Sequence, residues 1–329
     1  MEDFKPIELQ QARDFSRKLN ATFEFIRQNF KSLGKAILYI AGPSVLVGSL
    51  LIGSFMGEFL GMAQGIQSSG SPEDMGNYFL SVSFWLQLIL MFVFLFISYV
   101  ITIATINSYV ILYDEKKTNK IEVAEVWNRV RLAFWTYLGT TILFFIALVV
   151  VYIILLIPVF ILASISPFLV FFGIIIVVGG LFFLAISSAL TYFVQLYEKK
   201  NFFDAIIRSF KLVNNGKWWS TFGLLFILQL IVGISSYIFL IPYYVIMITS
   251  SLHSVQSGSP MEFSDTLQIV AVVCFTLYYM AQLLLYSLPN VGIAFQYFNL
   301  VELKEARGLM SQINTLGQAD TGTRPEEHF

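Results

Sequence analysis

Residues able to carry out chemistry are few in this chain of 329 residues, and they lie far apart in sequence. The chain has one cysteine, Cys274, and two histidines, His253 and His328. A catalytic nucleophile needs a base within hydrogen-bond reach, and a structural zinc site needs four nitrogen or sulfur ligands. Cys274 lies within an apolar run with no histidine near it in sequence. We therefore expect no catalytic residues, no metal site and no cofactor, and we expect the protein not to be an enzyme.

Hydrophobic segments are the elements that would position any site. Hydrophobic residues make up 57% of the chain and charged residues 12%, whereas about a quarter of a soluble chain is charged. A helix needs about 20 apolar residues to cross a bilayer. Six runs satisfy this length, at residues 36–57, 79–113, 136–159, 167–197, 219–247 and 266–301. This pattern predicts an all-α, polytopic membrane protein with six transmembrane helices, forming a single membrane domain over residues 1–329.

The distribution of cations predicts the orientation of these spans. All 20 lysine and arginine residues fall within residues 5–35, 116–131, 199–217 and 304–324, and the loops at the opposite ends of the spans contain none. Cations beside a span are retained on the cytoplasmic side. We therefore expect a multi-pass protein of the bacterial inner (cytoplasmic) membrane, with both termini cytoplasmic. Residues 312–329 have no apolar period, which predicts a flexible cytoplasmic tail.

An internal threefold repeat is the second organising feature. The third span opens with Trp135-Thr-Tyr-Leu-Gly139 and the fifth with Trp219-Ser-Thr-Phe-Gly223. Each even-numbered span follows a Ser-Pro pair, which favours a helix start. Each also ends in a related pattern that begins at Ser108, Thr191 or Gln296. These anchors predict three units, at residues 14–117, 121–200 and 202–305. Each unit would hold an amphipathic helix followed by a helical hairpin.

The second unit is shorter than the other two. Its proline at the Ser-Pro pair lies 25 residues before the tyrosine of the end pattern, and this distance is 37 residues in units one and three. The additional residues predict short outer segments near 72–78 and 260–265.

Basic amphipathic stretches precede the odd-numbered spans. In the first, Phe15, Phe23 and Phe30 share a helical face with other apolar residues, and the cations lie off that stripe. Such helices lie along the inner leaflet with cations towards anionic lipid, where they either anchor the bundle or dock a partner. The candidate docking residues for lipid or protein are Arg17, Lys18, Arg27, Lys31, Arg129, Arg131, Arg208 and Lys211.

Part of the third unit resembles a known kind of membrane module. The stretch from Arg208 to Lys211, followed by Trp218-Trp219 and a long span, looks like the membrane domain attached to some bacterial glycerophosphodiester phosphodiesterases, and like YciC-type inner-membrane proteins. In those phosphodiesterases a separate soluble domain carries the chemistry, and no polar stretch of that length is present here. The resemblance therefore implies an accessory six-span inner-membrane module without the enzymatic activity.

Polar groups at membrane depth limit the transport functions that the chain could have. Ion-coupled carriers keep ionisable groups within the membrane, whereas Glu58 lies at the outer end of the first span. The glycines Gly48, Gly53, Gly57 and Gly61 indicate a close-packing helix face. Pro289 and Asn290, in the sixth span, are the candidate gate or cavity residues, because a proline breaks helical hydrogen bonding.

The sequence is compatible with two functions. The first is a non-enzymatic subunit or scaffold of an inner-membrane protein assembly, docking partners through its basic cytoplasmic helices. The alternative is a carrier or channel for an uncharged or lipid-like molecule. The expected partners are membrane lipids and other inner-membrane proteins, with no role for nucleic acid.

Overall fold

The computed structural model describes residues 4–69, 72–257, 265–306 and 310. All regular secondary structure in these ranges is helical. The α-helices are α1 (Phe15–Ile40), α2 (Gly42–Ser69), α3 (Pro72–Leu80), α4 (Val82–Lys116), α5 (Val123–Ile165), α6 (Val170–Ser187), α7 (Thr191–Tyr197), α8 (Phe202–Val213), α9 (Trp218–Tyr237), α10 (Ile241–Ser257), α11 (Asp265–Leu285) and α12 (Ser287–Glu305). Short 3-10 turns, Pro167–Leu169 and Ile238–Leu240, precede α6 and α10.

Six helical segments are long and apolar enough to cross a membrane, as the sequence predicts. They are Gly42–Phe59, Val82–Lys116, Val123–Ile165, Pro167–Tyr197, Trp218–Ser254 and Ile269–Glu305. The chain is therefore a multi-pass membrane protein, because helices satisfy their own backbone hydrogen bonds in lipid. The first of these segments begins at Gly42, later than the predicted start at residue 36, since residues 36–40 complete α1.

Prolines account for several interruptions of the spans. Pro43 lies in the first turn of α2, Pro242 lies in the first turn of α10, and Pro289 lies in the first turn of α12. Proline has no N–H to donate, so it fits the first turn of a helix and disfavours its interior. Span five is divided into α9 and α10, and span six into α11 and α12. Pro158 is an exception, because α5 continues through it.

The connection between amphipathic stretch and span differs among the three predicted units. In the third, α8 ends at Val213, and Gly216 adopts a positive φ of 72° before α9 begins. Positive φ is a conformation that glycine adopts readily. In the second, α5 runs for 43 residues from the amphipathic stretch through the whole span. Residues 123–157 contain no proline to break it.

Helix starts and ends match several expectations from the repeat. Ser166 caps the turn at Pro167–Leu169, and Pro72 opens the short outer helix α3. Three even-numbered spans end beside a residue in the left-handed conformation: Lys117, Lys199 and Ala306. The predicted outer segment at residues 260–264, Ser71, the Ser259-Pro260 pair and the tail 312–329 lie outside the described residues. The threefold repeat and its unit boundaries stay a prediction.

The main core lies where the cationic segments meet. Its buried residues come largely from α1, the C-terminal half of α4, α7 and α12. Farther along the spans, α2 packs closely on α11, and a Cβ atom at Gly53 would lie 3.0 Å from the Cα atom of Val272. Gly57 has no such neighbour within 4 Å. The predicted close-packing face of span one is therefore confirmed at Gly53, and a Cβ atom at Gly48 would lie at an ordinary 3.7 Å from α4. Gly57 is buried but has room for a methyl group, and Gly61 lies outside the residues whose packing is described.

Candidate functional site

The cationic segments gather at one end of the molecule, which we call the basic end: α1, the α4–α5 connection, α8 and the C-terminal end of α12. The Asn119 amide donates a hydrogen bond to the backbone oxygen of Gln28 at 3.3 Å, joining the α4–α5 connection to α1. Arg208 of α8 forms an ion pair with Glu305 of α12 at 2.5 Å. This arrangement is the one that cations held on a single side of a membrane require.

The N-terminal segment, residues 4–13, lies across the basic end and was not anticipated from sequence. It is not helical, and Leu9 is buried with 1% of its surface exposed. The segment donates one hydrogen bond to each of three spans: Ile7 N–H to the Tyr113 hydroxyl at 2.8 Å, the Gln10 amide to the Tyr197 hydroxyl at 3.0 Å, and Arg13 N–H to the Asn299 amide oxygen at 2.7 Å. It therefore connects the ends of the even-numbered spans.

Lys18 is a correction to the predicted docking surface. Only 2% of its surface is exposed, and its ammonium group donates to the Ser220 hydroxyl at 2.8 Å and to the Gln296 side-chain oxygen at 2.6 Å. Gln296 in turn donates to the Thr221 hydroxyl at 2.8 Å. The buried face of α1 carries Lys18, Thr22 and Asn29 besides several apolar residues. Phe23 and Phe30 are exposed, and Phe15 lies beside Gly223 of α9. Lys18 therefore joins α1 to α9 and α12.

Arg208, another predicted docking residue, is also largely buried and binds carboxylates of the protein itself. Its side chain is 15% exposed and contacts the carboxylates of both Glu198 and Glu305. Glu198 accepts a further hydrogen bond from the Tyr297 hydroxyl at 2.7 Å and pairs with Lys200 at 2.8 Å. Burial acts to raise the pKa of Glu198, but these hydrogen bonds and the charge of Arg208 outweigh it and lower that pKa below its usual value.

The other predicted docking cations lie at the surface or close to it. Arg17 and Arg27 each pair with a carboxylate one turn away, Asp14 and Glu24, and Arg129 pairs with Glu115 at 2.9 Å. The remaining members of the predicted set are exposed: Lys31, Arg131 and Lys211. Ion pairs in such positions contribute little to stability. These cations are therefore available to anionic groups outside the protein.

A cavity of about 300 Å³ lies between α2, α4 and α11 at the depth of the apolar spans. Its lining residues are Val45, Ser49, Leu95, Ser98, Tyr99, Thr102, Tyr279, Gln282, Leu283 and Tyr286. The hydroxyls of Ser49, Ser98 and Thr102 donate to backbone oxygens of their own helices. They therefore offer acceptor lone pairs to the cavity, which suits a neutral molecule carrying a hydrogen-bond donor.

The predicted gate residues lie next to this cavity without lining it. Pro289 and Asn290 are buried in the first turn of α12, and the Asn290 amide donates to the backbone oxygen of Tyr286 at 2.8 Å. Tyr286 lies at the break between α11 and α12 and lines the cavity. The helix break that Pro289 predicts is present, and Asn290 acts by holding Tyr286 in place.

Within the described ranges, no group of three or more His, Cys, Asp or Glu side chains is placed to hold a metal ion. Cys274 is buried in a small apolar cluster with Leu240 and Tyr243. Comparisons of the chain with protein-family models, with curated proteins and with solved structures find no match. The resemblance to phosphodiesterase membrane domains therefore stays an expectation, and any functional argument depends on the geometry of this chain.

Proposed function

We propose that this protein is a non-enzymatic integral membrane subunit or scaffold, and that the hairpin of α5 and α6 packs on another membrane protein. The observation that supports the proposal is the exposure of this hairpin on nearly all sides. Gly173 packs against Val159, and Gly180 packs against Leu155, so the two helices contact each other along one stripe. The remaining apolar side chains of the outer half are largely exposed, among them Phe145, Ile153, Phe160, Phe171, Ile175 and Val178.

The hairpin suits a protein partner because association of helices in lipid depends on packing rather than on hydrophobicity. The exposed aromatic and branched side chains of the hairpin offer an extended surface for such packing. The exposed cations of the basic end provide a second contact area, for soluble segments of the same partner. The cations would lie on the cytoplasmic side of a bacterial inner membrane, and the hairpin would lie within its bilayer.

Site-specific photo-crosslinking tests the scaffold proposal. A photoreactive residue at Ile153, on the exposed face of α5, is expected to capture a membrane protein in cells, and one at Leu155, on the stripe facing α6, is expected to react within the chain. Mass spectrometry would then identify the captured protein. Recovery of the Ile153 variant as an uncrosslinked monomer, together with purification in mild detergent as a lone monomer, would contradict the proposal.

The cavity favours carriage of an uncharged molecule as a second candidate function. A carrier needs the cavity to become accessible from one side of the membrane, and Ser98 lines it. We would replace Cys274 with serine and introduce Ser98→Cys, then add a water-soluble maleimide to vesicles. Labelling of Ser98→Cys would support access from water. Full protection, equal to that of the native buried Cys274, would contradict this second function.

A further inference from the structure

We propose that a groove at the basic end binds the head group of an anionic phospholipid, with its phosphate among the cations of α1. The groove has a volume of about 770 Å³ and lies between α1 and the connection from α4 to α5. Arg27, Lys31 and Lys35 form one wall, and Lys120 lies on the other. The site needs no partner on the α5–α6 hairpin, and it assigns Arg27 and Lys31 to lipid, which leaves the other exposed cations of the basic end to such a partner.

The row of cations on α1 provides the first argument for a bound anion. Arg27, Lys31 and Lys35 are four residues apart, so their side chains line one helix face. Like charges at this spacing repel and destabilise a helix. Glu24 pairs with Arg27 at 2.9 Å, and Glu122 is the one carboxylate among the groove's lining residues, so cations outnumber it four to one there. A phosphate between the cations would relieve the repulsion.

A buried acceptor in the groove indicates which head group fits. Gln28 lines the groove, and its side-chain oxygen is buried with no hydrogen-bond partner. The amide nitrogen of Gln28 donates to the Glu24 carboxylate at 2.8 Å, which fixes the orientation of the amide because a carboxylate only accepts. An unpaired buried acceptor is costly. Since this oxygen has almost no accessible surface, a head group with a hydroxyl beside its phosphate, as in phosphatidylglycerol, would supply the missing donor once the Gln28 side chain turns towards the groove.

The position of the groove favours a lipid over a soluble phosphate. Phe30 lines the groove and has 67% of its surface exposed, and Tyr39 is similarly exposed farther along α1. The first membrane span begins at Gly42, only seven residues beyond Lys35. Apolar and aromatic side chains at this level contact acyl chains while lysines reach the head groups. The cations therefore lie at the depth of lipid phosphates.

Lipid binding to the purified full-length chain tests the proposal by native mass spectrometry. We would compare the wild type with the double variant Lys31→Gln/Lys35→Gln, and with a matched control, Arg17→Gln/Lys211→Gln, that removes two exposed cations outside the groove. The groove variant is expected to bind phosphatidylglycerol about thirtyfold more weakly, since each of the two interfacial cations contributes about fivefold to the affinity. The control is expected to change by less than about twofold.

Two further measurements define the ligand. Gln28→Leu is expected to weaken the binding of phosphatidylglycerol and to leave unchanged that of phosphatidylmethanol, a phosphodiester whose head group has no hydroxyl. Equal weakening of phosphatidylglycerol binding in the groove and control variants would overturn the site, because it would show that the lipid responds to the overall charge of the protein. Displacement of the lipid by millimolar inorganic phosphate would overturn the assignment to a lipid. Unchanged elution in gel filtration and an unchanged melting temperature would show that each variant is folded.

Discussion

Lys18 carries its ammonium group inside the basic end, where burial and the nearby charge of Lys217 lower its pKa from 10.5 to about 8, against a smaller opposing effect of Asp14. Between these two values the unfolded chain binds more protons at this site than the folded chain does. Stability from this residue therefore rises with pH across that window and is lowest below about pH 8. The folded protein therefore gains stability from this residue as the pH rises from neutral to mildly alkaline values.

Replacement of Lys18 by methionine tests this pKa. As the pH increases from 7 to 10, the melting temperature of the wild type is expected to rise relative to that of Lys18→Met, because the buried amine loses its charge. Thermal unfolding in detergent at several pH values measures it. Other lysines and tyrosines titrate in both proteins, so their effect cancels when the two melting temperatures are subtracted. A difference in melting temperature that does not change with pH would refute the lowered pKa of Lys18.

The ion pairs of Arg208 and Arg129 provide a matched test of burial. Arg208→Met removes one of the two cations paired with Glu198, whose side chain is 8% exposed, and breaking such a buried pair costs about 3 kcal/mol. Arg129→Met removes a pair with the more exposed Glu115, for which we expect a loss of less than about 1 kcal/mol. Chemical denaturation of both variants measures the difference. Equal losses would show that the Glu198 cluster is not a buried network.

At the residue scale, the sequence predicts charge and polarity but not partners. Lys18 and Arg17 are adjacent cations, and no local pattern separates them. Lys18 is buried because Gln296, 278 positions later in the chain, accepts its hydrogen bond. The sequence does not predict Tyr286 as a cavity residue, because the cavity is formed by helices that are distant in sequence. Its neighbours Pro289 and Asn290 are predicted from the helix break that proline causes.

At the element scale, the close packing of α2 on α11 depends on a single glycine, Gly53. Gly53→Ala is expected to destabilise the protein by about 1–2 kcal/mol, because its new methyl group would meet the backbone of Val272 in α11. Gly57→Ala, four residues along the same helix with no neighbour within 4 Å, is expected to stabilise it by up to about 1 kcal/mol through helix propensity. Melting temperatures of both variants measure the contrast, and an unchanged or raised melting temperature for Gly53→Ala would contradict the α2–α11 packing.

The extent of each element was predicted well where hydrophobicity or proline decides it. Six spans follow from apolar length, and the break before Pro289 follows from the missing N–H. The continuous helix α5 was not anticipated, because the similarity among the three units suggested a break in each. Gly216 is present in unit three, and unit two has no equivalent between its amphipathic stretch and its span.

For the whole molecule, the N-terminal segment links the ends of the even-numbered spans. Leu9→Ala is expected to cost about 2 kcal/mol or more, since a fully buried leucine leaves a cavity when it is shortened. Gln11→Ala, at an exposed position of the same segment, is expected to change stability by less than about 0.5 kcal/mol. Limited proteolysis and thermal unfolding measure both effects. Comparable losses in the two variants would indicate that Leu9 is not an anchor.

The orientation of the whole molecule in the membrane underlies both functional proposals, because the docking cations and the lipid groove must face the cytoplasm. In a Cys274→Ser background, Asn77→Cys places a thiol in the outer helix α3, and Lys120→Cys places one at the basic end. A membrane-impermeant maleimide added to spheroplasts should label Asn77→Cys at once and Lys120→Cys only after the membrane is permeabilised. Labelling of Lys120→Cys in sealed spheroplasts would contradict the orientation and with it both proposals.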